Sequence, residues 1–261
     1  MFESYSIANR KIISKTFPNG HRVVVVDMPE ATTTALMQVV DFGAADEVAN
    51  NIPKGSAHGL EHMSFRFQCS QTEKSNASPD DPLIPDNAGM YGPFKTLSKA
   101  LGGYLNADTT ASCTRYMAEV SQVHAIKLID NIHAIVSNPI DGNAIQTELK
   151  AVKNECSKSI RDPMLQMVTH TNEASQNNGF GGSVIGKMNA LSLVSGDQLN
   201  RVKSKYYIPS NYTGLMVGRI TQEALEHYEA KFGQGPKLEV PEREGLKQSA
   251  VQFSSQTITR V

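Results

Sequence analysis

Ser56-Ala57-His58-Gly59-Leu60-Glu61-His62-Met63 decides how this chain is read. Wound into an α-helix, residues i, i+3 and i+4 share one face, so His58, Glu61 and His62 converge there. Two imidazoles four residues apart, with a carboxylate between them, are the donors that hold a catalytic zinc ion and set a base beside it. Leu60, Met63 and Phe67 recur at helical spacing on a different face. One side of the helix is therefore expected to bury while the other presents a metal site. Pro53-Lys54-Gly55 forms the turn before it, and Ser56 stands where a cap is expected.

Two imidazoles are not enough. A catalytic zinc ion takes three protein ligands and keeps one position for water. Glu148 and Glu155 are close to two helical turns apart and so lie on one face of a helix. Either carboxylate could bind the ion while the other orients a ligand or the water. Such an ion lowers the pKa of water to roughly 7 and polarises a carbonyl, and Glu61 would move the proton. That chemistry is a metal-dependent hydrolase, with peptides as the natural substrate class. His21, His124, His133, His170 and His227 have no partner at ligand spacing and read as structural or exposed.

Composition removes several alternatives. The 261 residues suit one large domain or two small ones, with 39% hydrophobic and 20% charged residues. A net charge of −1 argues against a nucleic-acid binder that works by neutralising phosphates. No window is apolar for long enough to span a bilayer, and Met1 to Lys15 lacks the apolar core of a secretory signal. Cys69, Cys113 and Cys156 are an odd number without C-x-x-C spacing, which fits a reducing, cytoplasmic compartment.

Periodicity places the rest. Val23-Val24-Val25-Val26 within His21 to Asp27 predicts a strand buried on both faces, and Thr33 to Phe42 a second. Gln68 to Pro93, polar and carrying four prolines, reads as a long surface loop near the metal helix. Phe94 to Ala100 reads as a short helix, followed by a strand pair at Tyr104 to Ala107 and Cys113 to Val120. Val123 to Val136, Ala144 to Ile160, Asp197 to Tyr206 and Thr221 to Phe232 have helical period. Thr169 to Gly182 reads as a loose polar segment, and Tyr212 to Val217 as a strand. Gly233 to Gly245 reads as a linker and Ala250 to Val261 as a strand-like tail. The alternation predicts an α+β domain: a layered, mixed or antiparallel sheet packed with helices.

The surrounding text resembles a known family. Ser56 to Met63 is similar to the zinc motif of the inverzincin peptidases, the family of pitrilysin, insulin-degrading enzyme and mitochondrial processing peptidase. Gly102-Gly103-Tyr104-Leu105-Asn106-Ala107-Asp108-Thr109, then Thr114-Arg115-Tyr116, resembles that family's substrate-binding strand. Val184-Ile185-Gly186 and Tyr206-Tyr207-Ile208-Pro209-Ser210-Asn211 also match its pattern. The resemblance implies that Glu155 is the third zinc ligand and Glu148 a supporting acid. It implies that Asn106 and Ala107 lie on an edge where an extended peptide binds as an added strand. It further implies a domain over residues 1–232, with 233–261 leading toward a second half. A homodimer or a partner subunit would supply that half.

Two departures accompany the resemblance. The spacing from His62 to Glu155 is longer than the family pattern, and residues 68–93 account for the excess. The match covers the family's first half alone. The leading expectation is a zinc endopeptidase; the alternatives are a non-catalytic structural or regulatory subunit, and a metal-dependent lyase on a related fold using Cys113 or Cys156.

Overall fold

The computed structural model describes residues 3–7, 10–66, 94–175 and 182–243. Strand β1 (Glu3–Ile7) turns back as β2 (Arg10–Thr16), which pairs with β3 (Arg22–Asp27). The sequence reading did not foresee this first hairpin. Its sequence mixes charges with scattered apolar residues and shows no clean period-2 alternation, so the periodic signal is weak.

Strand β4 (Thr33–Val40) leads to helix α1 (Ser56–Ser64), and a helical segment over Phe94–Ala100 precedes β5 (Tyr104–Thr109) and β6 (Thr114–Ser121). Helices α2 (Ala125–Ser137), α3 (Ile145–Arg161), α4 (Pro163–Ser175), α5 (Met188–Leu191) and α6 (Gly196–Tyr206) follow, then β7 (Tyr212–Gly218) and α7 (Gln222–Phe232). The seven strands run in the order β1-β2-β3-β7-β4-β6-β5. β7 lies parallel to β3 and antiparallel to β4, so the sheet is mixed. The expected α+β layering is what forms.

Period-2 burial orients the sheet. Thr34, Leu36, Gln38 and Val40 of β4 face inward, as do Thr114, Tyr116, Ala118 and Val120 of β6. Helices α2 and α7 pack together and α2 covers β4 and β6, joining Leu36, Tyr116, Leu128, Ile132, Met216 and Tyr228 in one core. The valine run obeys the same rule: Val23 and Val25 are buried, while Val24 and Val26 are only partly covered. It was expected to bury on both faces; helices cover one face of the sheet here, and the other keeps partial exposure. Gly214 is required by packing, because a Cβ there would stand 2.0 Å from the Tyr228 hydroxyl. That hydroxyl bonds His21 Nε2 at 2.7 Å, and His21 stacks between Phe17 and Phe232. His21 is thus structural, as its sequence context suggested.

The segment expected to be loose from Thr169 is helical through Ser175. Asp162 supplies the start signal: its Oδ1 accepts from the amides of Met164 and Leu165, and Pro163 takes the first helical position. Helix α4 keeps Met164, Leu165, Met167 and Val168 largely exposed. Residues 233–243 have no helix or strand, and Arg243 grips the buried carboxylate of Asp46 with two nitrogens, at 3.1 and 2.5 Å. The expected strand Ala250 to Val261, the loop from Gln68 to Pro93 and Phe67 all lie outside the described residues. Among the described residues no helix is long and apolar enough to cross a membrane.

Lys203 on α6 ties the metal helix to the layer beneath it. Its buried Nζ donates to Ile135 O at 2.8 Å and to Ser64 Oγ at 3.2 Å, bridging the last turns of α2 and α1. Both contacts place a cation where helix dipoles favour one. Among the described residues no carboxylate pairs with it. Burial lowers its pKa from 10.5 to about 7. Between those values the unfolded chain holds a proton that the folded chain lacks, so this group's contribution to stability rises with pH. Lys203→Met should therefore gain stability relative to the native chain as pH falls from 10.5 toward 7, measured by urea unfolding across that range.

Candidate metal centre

Helix α1 is held at its start by close backbone contact. Gly55 adopts a left-handed conformation (φ 91°), and a Cβ there would meet Ile185 O at 2.5 Å. This contact explains Val184-Ile185-Gly186 physically: Ile185 and Gly186 lie directly against the entry to the helix. Ser56 does not cap α1, contrary to the sequence reading. Gly55 occupies the position before the first turn, so Ser56 falls inside that turn and its buried hydroxyl has no partner among the described residues. The capping acceptor is Glu47 instead, whose Oε1 takes the amides of Gly55 at 3.0 Å and Ala57 at 2.9 Å. A buried carboxylate beneath a helix N-terminus suits the dipole. Burial still dominates and pushes Glu47 up to about 7, against those amides and Lys54.

On the helix itself Leu60 and Met63 are fully buried, while His58 and His62 point outward from the core. Their rings stand nearly perpendicular with centroids 4.7 Å apart. Helix α3 packs across α1 and delivers the third donor. Glu155 Oε2 lies 3.6 Å from His58 Nε2 and 3.5 Å from His62 Nε2. One donor atom from each of the three side chains falls within 4.8 Å of the others, and no other described residues form such a group. Two imidazoles and a carboxylate are the donor chemistry of a zinc site. The sequence left open which glutamate would meet the imidazoles; the structure brings Glu155 there.

Glu148, two turns earlier on α3, sits beside rather than inside this group. Its Oε2 is 3.6 Å from His62 Nδ1, and its other oxygen pairs with Arg66. That contact turns Nε2 of His62 toward Glu155, the arrangement that fixes a ligand tautomer. Half-burial by itself would raise the Glu148 carboxyl, but His62 and Arg66 outweigh it and hold it low. Burial alone would lower His62, yet the carboxylates of Glu148, Glu155 and Glu61 raise it. His58 has no such company: burial, with His62 adding to it, lowers it to about 4 and keeps its ring neutral and able to donate a lone pair. Its buried Nδ1 has no partner among the described residues.

Glu61 is nearly buried and turned aside. Thr109 Oγ1 donates to Glu61 Oε2 at 2.5 Å. Burial raises the Glu61 carboxyl, and the Thr109 bond pulls it back. Behind it, Tyr116 and Tyr207 join hydroxyls at 2.8 Å in the core, which explains part of the Tyr-Tyr-Ile-Pro segment. Asn211 of that segment donates to Asp41 O and Tyr206 O, fastening the chain between α6 and β7.

Asn106 and Ala107 lie on β5, which among the described residues pairs with β6 alone and so forms an edge of the sheet. Asn106 is exposed, its amide donating to the Tyr104 hydroxyl at 2.8 Å, and Ala107 packs partly onto the core. Helix α1 contacts this strand. Cys156 packs with Val152 and Leu191, and Cys113 is half-buried; neither enters the donor group. Sequence reasoning missed Glu47, Arg66 and the bond from Thr109. Glu47 and Thr109 reach α1 from outside its helical repeat, where no spacing rule applies.

No protein-family model matches the chain. Relatives nevertheless align along most of it. The beta subunit of the mitochondrial processing peptidase of Saccharomyces cerevisiae is 26% identical over 235 residues, 86% of this chain and 45% of that protein. An uncharacterized zinc protease of Bacillus subtilis is 24% identical over 225 residues, 84% of this chain and 49% of that protein. Among solved structures, a protease from Helicobacter pylori superposes with a TM-score of 0.73 at 22% identity, covering 90% of this chain and 54% of that one. Pitrilysin gives 0.70 at 19% identity, covering 90% and 25%.

The chain resembles one half of a pitrilysin-type peptidase. It spans about half the length of the curated relatives it matches. Those relatives are named as zinc proteases and a processing peptidase, and the pitrilysin-type fold positions α1, α3 and β5 around one point.

The Glu47 anchor can be checked by its pH signature. With a folded pKa near 7 and an ordinary value of 4.5, the folded chain holds a proton between those pH values that the unfolded chain has lost. Its contribution to stability therefore falls as pH rises through that window. Glu47→Gln keeps an acceptor oxygen without the charge. Its stability relative to the native chain should rise from pH 4.5 to 7, by roughly 3 kcal/mol at most, in chemical denaturation at a series of pH values.

Proposed function

We propose that this chain is the zinc-binding half of a metalloendopeptidase that cleaves extended peptide segments. The observation that carries the proposal is the meeting of His58 Nε2, His62 Nε2 and Glu155 Oε2 at one point. His58, His62 and Glu155 would hold the ion, and Glu148 would orient His62 through Nδ1. When bound, zinc supplies Lewis acidity that polarises the scissile carbonyl and acidifies the attacking water.

This chain's residues would do the rest. Glu61, whose carboxyl burial raises against the pull of the Thr109 bond, would take the proton of the attacking water and pass it to the leaving amine. The open edge of β5 carries Asn106 and Ala107 and offers backbone groups to an extended peptide. Such pairing holds a substrate without reading its side chains, which suits unfolded segments. In this reading residues 1–232 form the zinc-binding unit, 233–261 lead onward, and a second copy or partner subunit supplies the other half of the substrate chamber.

Zinc stoichiometry by elemental analysis and turnover of an unstructured reporter peptide test the assignment together. His58→Ala, His62→Ala and Glu155→Gln should each lose the metal. Glu61→Gln should keep it and lose turnover by about a hundredfold or more. Chelation should abolish activity and added zinc restore it. A purified chain that binds zinc fully yet cleaves nothing, alone or with its partner half, would favour a structural subunit instead.

A further inference from the structure

Glu61 poses a problem that the ligand geometry leaves open. It precedes His62 by one residue and follows His58 by three, so its side chain leaves α1 on the metal-facing side. A carboxylate on a flexible stem beside a divalent cation is itself a good ligand. Were it to bind, the ion would have four protein donors, the closed set of a structural site rather than the open set of a catalytic one. Yet among the described residues the group within 4.8 Å contains His58, His62 and Glu155 and leaves Glu61 out.

One contact accounts for the exclusion. Oε2 of Glu61 is bonded at 2.5 Å by the hydroxyl of Thr109, which draws the carboxylate toward β5. Thr109 is well placed to hold it. It ends the edge strand, pairs in register with Thr114, and Thr114 is fastened by its own hydroxyl to Phe42 O. The next residue, Thr110, closes the turn by accepting from the amides of Ser112 and Cys113. The donor therefore stands on a braced strand end, while the acceptor has three rotatable bonds. Glu155, within the donor group, repels Glu61 from it, whereas His62 attracts Glu61 toward the group and Asp108 on β5 repels it from the strand. The charges oppose one another, and the Thr109 hydroxyl is the directed bond.

We propose that Thr109 keeps Glu61 out of the metal's ligand set and so reserves its carboxylate for proton transfer. Thr109 is then a positioning residue acting through Glu61. Its place at the end of β5 also ties the base on α1 to the strand that would receive the peptide. The inference rests on the zinc-peptidase reading above.

Thr109→Val keeps the shape and removes the hydroxyl, whereas Thr109→Ser keeps the hydroxyl. The zinc dissociation constant by chelator competition, the visible absorption of the cobalt-loaded protein, and kcat and KM on the reporter peptide are measured for each. Thr109→Val should bind zinc about tenfold tighter, show an altered cobalt spectrum, and lose at least about tenfold in kcat with KM unchanged. Thr109→Ser should match the native chain in all three. In a Glu61→Gln background the Val substitution should no longer tighten zinc binding, because the added ligand is gone. Unchanged zinc affinity in Thr109→Val overturns the proposal, as does a gain that persists with Glu61→Gln. If Thr109→Val does not fold, Thr109→Ala carries the same readouts. Should the native chain not hold zinc through His58, His62 and Glu155, the function itself fails and this inference falls with it; zinc binding in the native chain tells the two failures apart.

Discussion

Everything about this site depends on the crossing of α1 by α3. That contact brings Glu155 Oε2 to within 3.6 Å of one imidazole and 3.5 Å of the other. Nine residues of α1 are too few for a helix stable by itself. It stands because it is gripped along its length. Glu47 takes the amides at its start, Leu60 and Met63 sink into the core, and Lys203 reaches Ser64 at its end. Two of these three fastenings are buried ionisable groups whose burial costs free energy. Their placement makes sense as precision: a ligand helix that slid by a fraction of a turn would separate the three donors.

Electrostatics then divides the carboxylates among distinct tasks. Four of them, Glu61, Glu148, Glu155 and Asp108, gather near two imidazoles. Such a cluster would repel itself unless each charge had an assigned partner. Glu148 is claimed by Arg66 and His62, Asp108 by Arg115, and Glu61 by the hydroxyl of Thr109. Glu155 is left as the half-exposed carboxylate facing both imidazoles. The identical residue type thus stands in three different settings: Glu148 beside a cation, Glu155 facing two imidazoles, and Glu61 against a hydroxyl.

Legibility in the sequence followed periodicity. The strands from β3 onward and helices α1, α2, α3, α6 and α7 bury one face, and their spacing announced them. The hairpin of β1 and β2, whose sequence mixes charged and apolar residues without clean alternation, escaped, and so did helix α4. The Asp162-Pro163 start of α4 was a readable signal, but the polar run from Thr169 read as a loose segment. Ser56 misled because a cap was judged from residue type alone. The left-handed turn at Gly55, forced by the close passage of Ile185, shifted the helix start by one residue and handed the capping to Glu47.

The pairing of His58 with His62, and of Glu148 with Glu155, was settled by the sequence itself, because 3.6 residues per turn is a local property of the backbone. Which glutamate faces the imidazoles, what turns Glu61 aside, and which strand lies open at the sheet's edge were decided only by tertiary structure. Each depends on elements distant in the chain meeting at a chosen angle and register. No spacing rule reaches from Thr109 to Glu61 or from Glu47 to Ala57, since those bonds join segments whose relative position only the packed core defines.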